Sequence, residues 1–272
     1  MSAAQLVAVT RRPSPAARSG KFPFTVPAVA TLKRLEISSQ VTFLVGENGS
    51  GKSTFLEALA IACELPAVGS ARLETDPTLA RQRELAKELV ITWRRRNRRG
   101  FFLRAEDFFG FQRKVARTRS DHEAELVRVD EEFAEASDLA RTLARGTHLA
   151  SLGALTSAYG NDPDARSHGE AFLNLFAKRL SPRGLFLLDE PEAALSPQSQ
   201  LGFMSMLKAA VDDGSQFVIA THSPILMAIP GADLLSFDEV PIVHAAFDDL
   251  EPVNLVRDFL NAPERYLNHI WT

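Results

Sequence analysis

The sequence predicts an α/β fold with a mostly parallel core sheet. Three short apolar runs predict it. Val41–Val45, Leu185–Leu188 and Phe217–Ala220 are unbroken, strand-length and hydrophobic enough to be buried on both faces. Each leads into turn residues, and helical patterns separate them. Strands that alternate with helices pair in parallel and offer ligands their carboxyl ends. With 272 residues the chain can build one large domain with a sizeable core. A single domain is expected over 21–272, preceded by a mobile tail at 1–20.

The elements follow in order. Thr10–Lys21 is rich in Arg, Pro, Ser and Ala, lacks the apolar centre of a secretory signal, and reads as tail. Val41–Val45 is the first firm strand; it ends at Gly46 and feeds a glycine-rich turn and a helix from Lys52 to about Glu64. Leu89–Trp93 and Phe101–Arg104 read as two strands flanking an arginine-rich hairpin turn. Over 106–165 charged residues interleave with Ala and Leu, which predicts a helical lobe, and Gly160–Arg166 is a turn cluster before a helix at Glu170–Leu180. Ser196 and Pro197 form an N-cap and first-turn pair, and Gly214 a helix stop. Between them Leu201, Met204, Leu207 and Val211 recur at helical spacing, as a face laid on the sheet would.

Bulk composition bounds the function. Hydrophobic content of 45% and charged content of 24% are those of a globular chain, not a disordered one. A net charge of -3 neither demands nor excludes nucleic acid, since only clustering makes a basic face. The single cysteine, Cys63, excludes an internal disulfide and suits a reducing cytoplasm; in its apolar helical setting it reads as a small buried hydrophobe. No apolar run approaches the roughly 18–20 residues of a membrane span, so direct membrane insertion is not expected.

Gly46, Glu47, Asn48, Gly49, Ser50, Gly51, Lys52 and Ser53 match G-x-x-x-x-G-K-[ST] at every fixed position. Glycines let backbone N–H groups converge on phosphate oxygens, and the helix that starts there adds its positive end. Lys52 can reach β- and γ-phosphates, the Ser53 hydroxyl can ligate Mg²⁺, and Thr54 suits an α-phosphate contact. A strand before and a helix after are what distinguish this match from a mere glycine turn.

The second acidic site closes the Leu185 run. Asp189 would orient Mg²⁺, and Glu190 would polarise the attacking water as a general base. Neighbouring side chains at a strand end point apart, so the two acids can divide the work. His222, in Thr221-His222-Ser223-Pro224 after the third run, is placed to hydrogen-bond a γ-phosphate or that water. The other histidines lack metal-ligand spacing, so no zinc site is expected.

These three elements, in this order, resemble the ABC ATPase superfamily, closest to its soluble branch of SMC, RecF and related small ATPases. Asp189-Glu190-Pro191-Glu192-Ala193-Ala194-Leu195-Ser196-Pro197, Phe101–Glu106, Arg257–Leu260 and Pro263–Leu267 carry the likeness to that branch. The resemblance implies an ABC-type P-loop NTPase with an N-terminal antiparallel β portion, binding ATP with Mg²⁺ in a nucleotide-sandwiched homodimer. It implies a signature loop facing the partner's nucleotide, here Ser167, Gly169 and Glu170, with His168 in place of a second glycine and Glu170 in place of glutamine. It also implies a residue approaching Mg²⁺ from between the lobes, Glu106 or Gln112, and an adenine-stacking aromatic, Phe24 or Phe22. The stretch from Glu106 to Ser167 has room for a lobe but not for a long coiled-coil arm.

Arg94, Arg95, Arg96, Arg98 and Arg99 remain open between a nucleic-acid contact, with Trp93 stacking on a base, a protein contact, and a solvated turn. The expected activity is ATP hydrolysis to ADP and phosphate. The alternative is a nucleotide-gated DNA- or protein-binding module with little hydrolysis of its own. An ATP subunit of a membrane transporter is disfavoured by the altered signature loop and by Glu192.

Overall fold

The computed structural model describes residues 4–14, 20–37, 39–68, 73, 75–96, 98–159, 168–268 and 270–271. Its strands are β1 (Leu6–Arg11), β2 (Arg34–Glu36), β3 (Val41–Val45), β4 (Leu89–Trp93), β5 (Gly100–Arg104), β6 (Leu185–Asp189), β7 (Gln216–Ala220), β8 (Asp233–Ser236) and β9 (Val243–His244). They form a three-stranded antiparallel sheet, β2-β1-β4, and a six-stranded sheet, β5-β6-β7-β3-β8-β9. In the larger sheet every pairing is parallel except β8 with β9.

The three apolar runs are buried at every position because helices cover both faces of this sheet. Successive side chains alternate between two cores. Leu185, Leu187 and Val218 face a layer containing Phe55, Leu56 and Leu59. Phe186, Leu188, Phe217 and Ile219 face the other, where Phe101–Phe186, Phe186–Phe217 and Phe176–Phe203 ring centroids lie 4.9, 5.0 and 4.9 Å apart. The helix α2 (Lys52–Ala62) touches β4 on one side and β5, β6 and β7 on another. Held between two sheets, it buries Phe55, Leu56, Ala58, Leu59 and Ala60, which explains its lack of a polar face.

A buried side chain adds a polar tie between the smaller sheet and the larger. Gln216, fully buried at the start of β7, accepts from Gln5 N and Leu6 N at 2.9 and 2.8 Å. Its Nε2 donates to Leu6 O, Ile37 O and Ser39 O at 2.9, 3.1 and 3.1 Å. That amide satisfies backbone groups that the sheet edges would otherwise leave unpaired.

Three expectations are corrected here. The tail expected at 1–20 is in part a strand, since Leu6–Arg11 is the central strand of the smaller sheet with Leu6 fully buried. The apolar run Leu6–Val9 was the local sign of it, and the partners it pairs with lie far along the chain. The arginine-rich segment is no hairpin: β4 pairs with β1 and β5 with β6, so it crosses from one sheet to the other. On helix α7 (Pro197–Asp212) Leu207 is buried and Met204 and Val211 pack against the core as expected, but Leu201 is exposed and Phe203 and Ala210 complete the buried stripe.

The helices α4 (Ala105–Glu132) and α5 (Asp138–Tyr159) form an antiparallel pair projecting from β5. The pair buries little. On α4 only Ala105, Phe108 and Val115 are buried, all towards its base, while Val127, Leu139, Leu143 and Leu149 stand exposed.

Candidate functional site

The register of the parallel strands sets up the site. Arg104, Asp189, Ala220 and Leu44 lie side by side across β5, β6, β7 and β3. All four strands therefore deliver their next residues to one edge: Gly46 onward from β3, Glu190 from β6, Thr221 and His222 from β7.

The loop after β3 curls over that edge. Gly46, Gly49 and Gly51 have φ of 144°, 86° and 104°. A Cβ on Gly46 would lie 2.8 Å from Asp238 Oδ1, and one on Gly51 would collide with Val26. Lys52 is buried, its Nζ donating to Gly46 O and Glu47 O at 2.7 Å each. Burial lowers its pKa, while Asp238, Glu190, Asp189 and Glu192 pull the other way. The helix α2 then starts, and the Ser53 hydroxyl donates to Asp189 Oδ1 at 3.0 Å. The glycine loop and the acid that closes β6 thus meet, although far apart in sequence.

Asp189 is buried, and desolvation pushes its carboxyl up to about 7 against the Ser53 hydrogen bond; Glu57 and Glu190 add to the rise and Arg104 opposes it. A divalent cation beside it would draw that value down again. Glu190 is half-exposed and turns the chain sharply, with φ 49° and its N–H on Ala220 O at 2.9 Å. His222 Nε2 stands 3.7 Å from Glu190 Oε1, beyond hydrogen-bonding distance. Its backbone N–H donates to Glu192 Oε1 at 2.6 Å. Both His222 Nε2 and Glu192 Oε2 are shielded from solvent with no hydrogen-bond partner.

Sequence reasoning missed the charges behind this edge. Arg104 is buried and reaches Glu57 at 3.1 Å, Asp76 at 3.4 Å, Glu106 at 3.2 Å and both Asp107 oxygens at 2.7 and 3.0 Å. Glu57 sits one turn beyond Ser53 on α2, and Asp107 in the first turn of α4. Arg104 therefore ties the root of the helical pair to the helix carrying Lys52 and Ser53. Burial raises the Glu57 carboxyl, with Arg104 opposing. Asp238, also missed, accepts from Glu47 N at 2.7 Å.

The other expected positions fall as follows. Ser167 lies outside the described residues. Gly169 is buried at the start of α6 (His168–Arg179), and a Cβ there would lie 2.8 Å from Ser199 Oγ, so glycine serves close packing on α7 within the same chain. Glu170 is exposed. Glu106 is exposed and paired with Arg104, and Gln112 lies within α4. Phe24 is core, while Phe22 is exposed. All five arginines are exposed, with Arg96 and Arg98 at 3.2 and 3.7 Å from Glu64. Trp93 is partly buried and packs against the core.

The donor set can be tested against MgATP. Among the described residues no three His, Cys, Asp or Glu gather to hold a metal. A serine hydroxyl and one carboxylate beside a phosphate cradle fit Mg²⁺, which takes few protein ligands and completes its shell with phosphate oxygens and water. Among the described residues no helix is long and apolar enough to cross a membrane.

Family models match two stretches: residues 28–147 an "AAA domain", and residues 152–228 an "AAA domain, putative AbiEii toxin, Type IV TA system". The chain is 27% identical over 190 residues to the "Probable anion import ATP-binding protein" of Haloferax volcanii, covering 67% of this chain and 62% of that protein. It is 30% identical over 206 residues to the "Macrolide export ATP-binding/permease protein MacB" of Hahella chejuensis, covering 74% of this chain and 29% of that one. It thus spans less than two thirds of the length of these curated relatives. Among solved structures the Smc head domain of Pyrococcus furiosus, bound to the C-terminal domain of ScpA, has a TM-score of 0.44 at 12% identity, covering 94% of this chain and 99% of that one. AAA-domain models thus match on both sides of the sheet's active edge, where a phosphate loop feeds a mostly parallel sheet, and the chain is similar to P-loop ATPases of that kind.

Proposed function

We propose that the chain binds MgATP on Gly46–Thr54 and hydrolyses it to ADP and phosphate. The observation that carries this reading is the 3.0 Å hydrogen bond from Ser53 to Asp189, which joins the phosphate loop to the acid-bearing strand. Lys52, held inside the loop by two carbonyls, exchanges them for phosphate oxygens, a charge-assisted contact stronger than the one it leaves. Ser53 and Asp189 hold Mg²⁺, which when bound neutralises charge building on the phosphates. Glu190 accepts a proton from the attacking water; its exposed carboxylate at the sheet edge suits that role. His222, with a shielded and unpartnered Nε2 facing Glu190, hydrogen-bonds the water or the γ-phosphate.

Lys52→Ala should weaken ATP binding by roughly ten- to a hundredfold, the loss of charge-assisted hydrogen bonds. Titration with a fluorescent ATP analogue reads this directly, and unchanged affinity would refute the assignment. We also propose that two chains close on ATP, with Ser167 to Glu170 of one chain meeting the nucleotide of the other. Glu190→Gln with MgATP should double the molar mass seen by light scattering; a monomer at saturating ATP would remove the sandwich.

The names of the two curated relatives favour a second reading, in which this chain powers a membrane transporter. Co-purification with a membrane-spanning subunit would establish it. Recovery of the tagged chain alone from its own cells would count against it.

A further inference from the structure

We infer that His122 and His148 form a transition-metal site that staples α4 to α5. His122 lies ten residues before the end of α4 at 132, and His148 ten residues after the start of α5 at 138, so the two face each other across the hairpin. Their Nδ1 atoms are 3.2 Å apart and partly buried. Two imidazoles on a tetrahedral ion, each at about 2.0–2.1 Å, put their nitrogens about 3.3 Å apart, so the rings already hold the bite such an ion needs.

In the neutral pair one Nδ1 carries a proton and the other accepts it. A divalent ion takes both lone pairs, and the Nδ1 proton moves through solvent to Nε2 of the same ring. No redox partner is needed. Of the nearby cations, Arg145 is neutralised by both Asp130 oxygens at 2.7 and 2.8 Å, while Arg119, one turn before His122, is held to Thr156 Oγ1 at 3.4 Å and keeps its charge. Glu125, one turn along α4 from His122, puts a carboxylate on the same helix face, shared with Arg128 at 2.9 Å. Imidazole ligands select Zn²⁺, Ni²⁺ or Cu²⁺ over Mg²⁺, so the site does not compete with the phosphate loop. Solvent fills the remaining positions, since no third protein ligand gathers among the described residues.

The staple lies where the pair needs one. Beyond Val115 neither α4 nor α5 buries a residue fully among those described, so the two helices meet there through half-buried side chains. This inference stands independently of the nucleotide chemistry.

Titration of the full chain with Cu²⁺ or Zn²⁺ tests it. The expected result is one ion per chain, a Cu²⁺ resonance spectrum split by two imidazole nitrogens, and a Zn²⁺-dependent rise in melting midpoint. His122→Gln and His148→Gln keep a polar contact and the fold, checked by circular dichroism. Each should lose at least tenfold in affinity and the Zn²⁺ effect on melting. Two-nitrogen coordination surviving in either variant, or wild-type affinity in both, overturns the proposal.

Discussion

Arg104 shows how much of the candidate site rests on residues that do not advertise themselves. It is one buried cation among Glu57, Asp76, Glu106 and Asp107, three of which are nearly or wholly shielded. Removing it leaves buried carboxylates without their counter-charge, a change that costs about 3–5 kcal/mol. Arg104→Met should therefore lower the free energy of urea unfolding by about that amount. A change under about 1 kcal/mol, the range of exposed pairs, would show that the cluster is solvated and does not brace α2. At this scale the sequence is uneven. Lys52, Ser53, Asp189 and Glu190 sit in local strings whose chemistry is legible because neighbours in sequence are neighbours in space. Arg104, Asp238 and Glu57 each act in part through partners many residues away, and the string Phe101–Glu106 that holds Arg104 gave no hint of that role.

Among the elements, the central parallel strands and β4 were legible, while β1, β2, β8 and β9 were not. Burial on both faces forces continuous apolar runs, so β3, β6 and β7 stand out. The strand β1 opens on a short apolar run, Leu6–Val9, that the basic and proline-rich stretch after it masked, and Gln216 adds a polar anchor to its packing. The segment of five arginines looked like a turn because two strands flank it; only the register reveals that each strand belongs to a different sheet. Gln216→Leu should leave Gln5 N and Leu6 N buried without acceptors and cost about 3 kcal/mol. Amide hydrogen exchange should then quicken at 6–11 well before it quickens in β6 or β7. Uniform protection in both sheets would show that the two are joined by other means.

For the whole molecule, the account depends on four strand ends arriving together. The fold class and its carboxyl-edge site could be read from alternation of strands and helices, as could the order of the glycine loop, the acids and His222. The lobe's helical character was legible from its charge pattern. Its attachment through Arg104 was not, nor was the own-chain packing that requires glycine at 169. The proposed closure of two chains on ATP belongs to this scale too, because it gives Ser167 and Gly169 a role that only a second copy can complete.

The most direct test of the central claim is phosphate release by Glu190→Gln measured beside its ATP affinity. The account predicts binding within about twofold of wild type, since Lys52 and the loop are untouched, and turnover reduced by about a hundredfold or more, the scale of losing a general base. Wild-type turnover in that variant would contradict it.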